Sequence, residues 1–242
     1  MIIFDSTKQQ RVERIQDLKV IAFDADDTLW MNEPYFQEIE RKFCEMMEVY
    51  HPQHTVSREL LATEIANLED YGFGIKSFIL SMIEAAIRIS GRTIKLEVIE
   101  KIIYFGKEML HKPIELLDGV EEVLATLNGR YRLVMATKGD LLDQERKLIK
   151  SGLEKHFHHI EILSDKKEEN YQKLLHHLDI QPKQFLMVGN SLKSDVLPVL
   201  ELGGYACHVP FHTTWEHEKI DYSIDHSNFR QLRKLLDLLD FI

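Results

Sequence analysis

The stretch "VIAFDADDTLW", residues 20–30, decides how the rest of the chain is interpreted. Its first four residues form a short apolar run, which predicts a buried strand. Three carboxylates, Asp24, Asp26 and Asp27, follow within four positions. Like charges crowded at the end of a core strand are unfavourable unless a cation or a chemical task holds them there. The stretch therefore predicts a functional site at the point where this strand ends.

Further apolar runs follow later in the chain, with helical patterns between them: "RYRLVMAT", "HHIEIL", "QFLMVGN" and "YACHVP". Most are near-continuous rather than alternating, which is typical of strands covered on both faces. One intervening helix is predicted to begin after Asp140, a good N-cap, and to end at Gly152. The alternation of strand and helix predicts an α/β fold with a doubly wound parallel sheet. The last stretch, "NFRQLRKLLDLLDF", predicts a closing amphipathic helix.

The segment between the first two predicted strands contains only helical patterns and is too long for an ordinary loop. We therefore predict a core domain made of residues 1–29 and 113–242, and an all-helical domain at residues 30–112 that covers the carboxyl end of the sheet. Within the helical domain, "EDYGFGIKSF" is either a loop between helices or a specificity loop. In the second case, Tyr71 and Lys76 would touch the substrate.

Polar side chains follow each predicted strand. Ligands of open parallel sheets bind outside the carboxyl ends of the strands, so these side chains are expected to converge. The second strand ends at Thr137, which Lys138 follows. A lysine pair follows the third strand, and "NSLKSD", residues 190–195, follows the fourth. Carboxylates, a hydroxyl group and lysines are therefore expected to meet at one edge of the sheet.

This set of motifs resembles the haloacid dehalogenase (HAD) superfamily, specifically its phosphatase branch with a helical cap inserted after the first strand. Asp24 to Thr28 match the first motif, Asp-x-Asp-x-Thr. Thr137 matches the second motif and Lys166 the third. The fourth motif is matched by "GNSLKSD", in which Asn190 stands where an aspartate is usual. The resemblance covers essentially the whole chain and implies a Rossmann-like core with a cap.

The resemblance implies a role for each matched residue. Asp24 would be the nucleophile that forms an aspartyl phosphate, and Asp26 the general acid and base. Thr137 and Lys166 would hold the phosphoryl oxygens, next to Lys138. The expected function is a Mg²⁺-dependent phosphatase acting on a small phosphorylated metabolite. A phosphomutase, a dehalogenase of the same fold and a non-catalytic phosphate-binding module remain alternatives.

The resemblance also implies a metal site. Mg²⁺ would bind Asp24, the backbone carbonyl group of Asp26, and Asp195, with Asn190 beside it. Because Asn190 lacks the charge of an aspartate, we expect weaker Mg²⁺ binding. The presence of Asp26, the expected acid, and of Asp195, an expected metal ligand, argues against a dehalogenase. Displacement at carbon needs neither an acid nor a metal.

Two assignments remain open at this point. Lys167 is an alternative to Lys166 as the lysine of the third motif, although the position of the following helix favours Lys166. Asp27 is expected to be solvated or to cap a helix rather than to react.

Composition limits the partners. The chain has 242 residues and a formal net charge of −10. A surface this acidic argues against nucleic acid as the main partner, because phosphate backbones require basic surfaces. No apolar stretch approaches the ~20 residues that span a membrane, and the first residues do not resemble a signal peptide. We therefore expect a cytoplasmic protein with no membrane partner. The sequence does not predict an oligomeric state.

Overall fold

A six-stranded parallel sheet forms the centre of the molecule. The computed structural model describes residues 15–240 and residue 242, so residues 1–14 of the predicted core domain lie outside the described part. The strand order is β3-β2-β1-β4-β5-β6. The strands are β1 (Val20–Phe23), β2 (Arg132–Lys138), β3 (His159–Leu163), β4 (Phe185–Gly189), β5 (Tyr205–His208) and β6 (Phe229–Gln231).

Four helices lie between β1 and β2 and form the cap. They are α1 (Glu33–Met47), α2 (Gln53–Tyr71), α3 (Ile75–Ile89) and α4 (Leu96–His111). Their apolar residues, among them Phe43, Leu60 and Met82, form a hydrophobic cluster separate from those of the sheet. The two chain segments that join the cap to the sheet run side by side. Met31 N donates to Glu115 O at 2.9 Å on this connection.

The remaining helices flank the sheet. They are α5 (Val120–Leu127), α6 (Leu141–Ser151), α7 (Glu168–His177) and α8 (Leu197–Glu201), with one π-helical turn, Leu192–Val196, directly before α8. Asp140 caps α6 by accepting a hydrogen bond from Asp143 N, and Gly152 ends α6 with a φ of 70°. Both boundaries of this helix were predicted, and the structure confirms them.

Both faces of the sheet are covered. Ile21 and Phe23 of β1 pack into one hydrophobic cluster with α5. Val20 and Ala22 point the other way and pack with Tyr171 of α7. All four residues of β1 are fully buried. The near-continuous apolar pattern is thereby explained, and the prediction of a doubly wound α/β fold with a helical insertion is confirmed.

The predicted closing helix is wrong. The first part of that stretch, Phe229–Gln231, pairs with β5 as strand β6, and only Leu235–Asp240 forms a short 3₁₀ helix. Leu235 and Leu238 are buried against the core. Tertiary burial of these leucines therefore explains the apolar spacing without a long helix. Within the described residues, no helix is both long and apolar enough to cross a membrane.

Candidate active site

The carboxyl ends of the strands and the cap enclose a cavity of about 180 Å³. Six of the residues predicted from the motifs line it: Asp24, Asp26, Thr137, Lys138, Lys166 and Asp195. Asn190 lines it as well. The topology produces this convergence, because β1, β2 and β4 are neighbours in the sheet and end at the same edge.

Lys166 lies between two buried carboxylates. Its ammonium group donates to Asp24 Oδ1, and to Asp195 Oδ1 at 2.7 Å. Burial raises the pKa of Asp24 to about 7, and the nearby Asp195 charge adds to this, although Lys166 acts in the opposite direction. Lys167 instead pairs with Asp165 on the surface, its side chain 77% exposed. Of the two candidate lysines, the structure brings only Lys166 into the cavity.

A glycine makes room for Asp195. Asp195 belongs to the π-helical turn, where Ser191 N donates to Asp195 Oδ2 at 3.0 Å. A Cβ atom at Gly189 would lie 2.1 Å from Asp195 Oδ2. Any side chain at position 189 would therefore displace this carboxylate. The glycine of "GNSLKSD" has a steric role in holding Asp195 against the end of β4.

Oxygen atoms suited to a hard cation surround the Asn190 amide group. When its nitrogen faces them, that nitrogen donates to Asp26 O and Asp24 Oδ2 at 3.2 Å, and to Thr28 Oγ1 at 3.3 Å. When its oxygen faces them, a carboxylate, a carbonyl and an amide oxygen converge on one point. Oxygen donors of this kind are the preferred ligands of Mg²⁺. The donor set of the site therefore fits the metal that the resemblance implies.

Three donors hold the Asp26 carboxylate. Trp30 Nε1 donates to Asp26 Oδ1 at 2.6 Å, and Gln144 Nε2 donates to Oδ2 at 2.9 Å. Lys147 Nζ contacts both oxygens, at 2.9 and 3.1 Å. The motifs did not predict Gln144 or Lys147. Both lie on α6, and helical spacing places them on one face, but no sequence signal tied that face to Asp26.

Asp27 caps the first cap helix. Its carboxylate accepts hydrogen bonds from Asn32 N at 2.8 Å and from Glu33 N at 2.9 Å. Burial raises the pKa of Asp27 to about 7. The capping expectation is confirmed, whereas a solvated carboxylate was the wrong alternative, since Asp27 is only 5% exposed. The third carboxylate of the motif therefore anchors the start of the cap.

A second ion pair, largely but not fully buried, lies at the cavity and was not predicted. Lys138 Nζ donates to Glu218 Oε1, and to Ser194 Oγ at 2.9 Å. Ser194 Oγ in turn donates to Glu218 Oε2 at 2.6 Å. Burial raises the pKa of Glu218, but Lys138 and the serine hydrogen bonds outweigh it and lower this pKa to about 2. Glu218 is therefore an ionised partner that fixes Lys138.

The loop between α2 and α3 reaches the cavity, but not through the predicted side chains. Gly72, Phe73 and Gly74 line the cavity. The Tyr71 hydroxyl group donates to Glu84 Oε1 at 2.7 Å instead, and Lys76 Nζ donates to Asp140 Oδ1 at 2.9 Å. Neither Tyr71 nor Lys76 lines the cavity, because each side chain is held on the surface by another partner.

The cap side of the cavity combines apolar and acidic side chains. Phe36 and Phe78 line it together with Glu33, Glu40 and Glu64. Burial, reinforced by the Asp27 charge, raises the pKa of Glu33 to about 8. Burial, reinforced by Glu40 and Glu33, also raises the pKa of Glu64 to about 8. No lysine or arginine of the described cap residues lines this cavity.

The doubly wound sheet, its helical cap and the buried lysine between two aspartates agree with the arrangement of a capped hydrolase of the HAD class. Family comparison agrees: residues 18–203 match the model of the haloacid dehalogenase-like hydrolases. The chain belongs to this family. No curated protein matches the sequence significantly.

Solved structures share the fold. A HAD-like family hydrolase from Xanthomonas campestris is 35% identical, with a TM-score of 0.81 over 92% of this chain and 89% of that one. The magnesium-bound HAD-hydrolase YfnB from Bacillus subtilis is 17% identical, with a TM-score of 0.62 over 93% and 98%. A predicted phosphoglycolate phosphatase from Haemophilus somnus 129pt is 18% identical, with a TM-score of 0.61 over 93% and 98%. Structures described as a dehalogenase and as a beta-phosphoglucomutase also share the fold.

Proposed function

We propose that this hydrolase is a Mg²⁺-dependent phosphatase that acts on a small phosphorylated metabolite. The observation that carries the proposal is the buried contact of Lys166 with both Asp24 and Asp195, beside the Asp26 carboxylate. This arrangement supplies a nucleophile, an acid and base, and positive charge at one point. Attack on a phosphate dianion requires all three.

The proposed reaction has two displacements at phosphorus. In the first, a carboxylate oxygen of Asp24 forms a bond to phosphorus, and the ester P–O bond breaks. Asp26 gives a proton to the departing alkoxide oxygen. In the second, Asp26 takes a proton from water as the water oxygen attacks phosphorus. The bond between Asp24 and phosphorus then breaks, releasing inorganic phosphate and the free carboxylate.

The other residues of the site bind and orient the phosphoryl group. Lys166 and Thr137, at the cavity floor, would hold its oxygens by charge and by hydrogen bond. Asp24, the Asp26 carbonyl group and Asp195 would hold Mg²⁺, with the Asn190 amide oxygen turned toward it. When bound, Mg²⁺ neutralises the phosphate and the carboxylates, which reduces the repulsion that opposes attack.

The cap side of the cavity favours this reaction over the two catalytic alternatives. A phosphomutase must bind a second phosphate group, and a 2-haloacid dehalogenase must bind the carboxylate of its substrate. On the cap side, however, the cavity is lined by Glu33, Glu40 and Glu64, and no lysine or arginine of the described cap residues lines it. Lys138 and Lys147 of the core also line the cavity, but both are already paired with carboxylates. A second anion on the cap side would therefore lack a cationic partner.

The residues on the cap side of the cavity also indicate which kind of leaving group the site would accept. Phe36 and Phe78 offer apolar contact, and the three glutamates offer hydrogen-bonding oxygens. A cationic group beside them would favour their ionised form, whereas an anionic group would oppose it. The product alcohol is therefore proposed to be neutral or cationic with an apolar part, rather than a hydroxy acid or a sugar phosphate. The small volume of the cavity agrees with a small metabolite.

Turnover of p-nitrophenyl phosphate with Mg²⁺ and with a chelator tests the reaction class. We expect Mg²⁺-dependent release of phosphate, and a loss of at least ~10³-fold in kcat in Asp24→Asn, because an amide is a poor nucleophile. Asp225→Asn, an exposed carboxylate outside the cavity, serves as the matched control. Activity of Asp24→Asn above a tenth of the wild-type value would show that Asp24 is not the nucleophile.

A panel of phosphate esters tests the substrate class. Esters of neutral and amino alcohols are expected to have higher kcat/KM than esters of hydroxy acids or bisphosphates of similar size. Preference for the anionic esters would contradict the assignment of the leaving group but leave the phosphatase assignment intact.

A further inference from the structure

Two histidines and a glutamate form a cluster away from the candidate active site. His159 and Glu161 belong to β3, and His177 is the last residue of α7. Residues two apart on a strand point to the same face, so β3 presents both side chains to α7. One ligand atom from each of the three residues lies within 4.8 Å of the other two.

The side chains of the cluster already contact one another. His159 Nε2 lies 2.7 Å from Glu161 Oε2, and His177 Nδ1 lies 3.8 Å from the same oxygen. The two imidazole rings meet edge to face, with their centroids 4.7 Å apart. Glu161 therefore stands between two imidazole nitrogens, a position from which all three groups can share one ion.

We propose that His159, Glu161 and His177 bind a divalent transition-metal ion, of which Zn²⁺ is the representative. Two imidazoles and one carboxylate are a ligand set that Zn²⁺ accepts, with water completing a tetrahedron. Zinc–ligand bonds of about 2.0–2.2 Å place tetrahedral ligand atoms about 3.4 Å apart. The contact between His159 and Glu161 must therefore lengthen by about 0.7 Å, and the other separations, at most 4.8 Å, must shorten by up to about 1.4 Å.

The side chains have the freedom for this movement. The His177 side chain is 63% exposed and lies at the end of its helix, whereas the side chains of His159 and Glu161 are 27% and 28% exposed. His159 and Glu161 are therefore the less mobile ligands of the site, and the exposed His177 side chain would move toward them to complete it. Solvent reaches the site, so an ion can enter without unfolding the protein.

Position in the fold separates this site from the candidate active site. β3 is the edge strand of the sheet, and His159 is its first residue, at the end opposite the catalytic edge. Since α7 runs back along the sheet, His177 returns to this same end. A metal ion here would join the edge strand to the helix that follows it, and would stabilise the fold without contacting the substrate.

The imidazole ligands also predict a different metal ion from the Mg²⁺ that is proposed for the candidate active site. Mg²⁺ prefers oxygen ligands and keeps several waters, whereas imidazole nitrogen suits Zn²⁺, Ni²⁺ and Cu²⁺. The two sites therefore differ in selectivity, and an excess of Mg²⁺ occupies the catalytic carboxylates while leaving the histidine site open.

Calorimetric titration of the full chain with Zn²⁺ in millimolar Mg²⁺ tests the proposal. One equivalent is expected to bind. Affinity should fall at least about tenfold in each of His159→Gln, Glu161→Gln and His177→Gln, since each removes one ligand. His158→Gln and His176→Gln, exposed neighbours of the two ligand histidines, are matched controls with unchanged affinity.

Thermal unfolding and the Co²⁺ spectrum provide independent readouts. Zn²⁺ should raise the melting temperature of the wild type and of both controls, but not that of the three ligand variants. Bound Co²⁺ should give the visible absorption of a four-coordinate ion, which the ligand variants lose. Equal Zn²⁺ binding in the wild type and all three variants, or no binding to the wild type, would overturn the proposal.

Discussion

Lys138, the last residue of β2, forms a largely buried ion pair with Glu218, 80 positions later in the chain, at the edge of the candidate active site. Their side chains are only 16% and 10% exposed. The Lys138 ammonium group also lies 4.3 Å from the centre of the Phe73 ring, which belongs to the cap. One lysine therefore joins the sheet, the cap and the segment after β5.

Glu218→Gln should destabilise the protein, because it leaves the largely buried Lys138 charge without a counter-charge. A penalty of about 2 kcal/mol is reasonable for a pair that is not completely buried, and this corresponds to a fall of about 4–8 °C in Tm. Thermal unfolding at pH 7 measures it. Glu216→Gln, an exposed position in the same turn, is the control and should shift Tm by less than 1 °C or so. Equal shifts in the two variants would mean that the ion pair contributes no net stability.

Asp26→Asn should slow the cleavage of alkyl phosphates more than that of p-nitrophenyl phosphate. An alkoxide needs a proton on leaving, whereas nitrophenolate does not, and loss of a general acid typically costs ~10²–10⁴-fold. The first turnover, measured by rapid quench, isolates this step from the later hydrolysis of the aspartyl phosphate. An unchanged rate ratio between the two esters would remove Asp26 from the acid role.

Asn190→Asp should lower the Mg²⁺ concentration that gives half the maximal rate. The Asn190 amide faces Asp24 Oδ2 and the Asp26 carbonyl oxygen, and an aspartate there would add a negative charge beside the bound metal. Changes of this kind alter metal affinity by ~10–100-fold. Titration of the initial rate with Mg²⁺ at fixed pH compares the two proteins. A midpoint that does not move would show that position 190 does not sense the metal.

The residues of the candidate active site could be predicted to converge because each lies at, or within six residues of, the carboxyl end of an apolar strand. A run such as "VIAF" sets the strand, and parallel strands end at one edge, so residues far apart in the chain were expected to meet. Glu218 gave no such signal. It lies in a short 3₁₀ turn after β5, and only the folded chain brings its carboxylate to Lys138.

Strand β6 and the partners of Tyr71 and Lys76 could not be predicted from the sequence for a related reason. Three residues, Phe229–Gln231, are too few to show strand periodicity, and only pairing with β5 orders them. Tyr71 ends α2 and Lys76 lies in the first turn of α3, on either side of the loop that reaches the cavity, so contact with substrate was a reasonable expectation. Local partners, Glu84 and Asp140, hold both side chains instead, and a sequence pattern does not reveal such partners.

Glu64→Gln should stabilise the protein increasingly as the pH rises from 5 to 8. Burial raises the pKa of Glu64 from 4.5 to about 8, so the folded state keeps a proton that the unfolded chain releases near pH 4.5. Unfolding therefore releases a proton across this interval, and the wild type loses stability as the pH increases through it. Glutamine keeps the neutral shape and does not titrate.

The difference in Tm between Glu64→Gln and the wild type should thus be near zero at pH 4.5 and largest at pH 8, where it should reach several degrees. Thermal unfolding in matched buffers measures it. Glu69→Gln is the control, because Glu69 lies on the same helix but is exposed to solvent. A difference that stays constant with pH would mean that Glu64 is ionised in the folded protein, and that the cap side of the cavity carries its full negative charge at neutral pH. That negative charge would strengthen the exclusion of anionic leaving groups. The ester panel and this pH titration together therefore show whether the cap excludes anions by its own negative charge or only because it lacks cationic side chains.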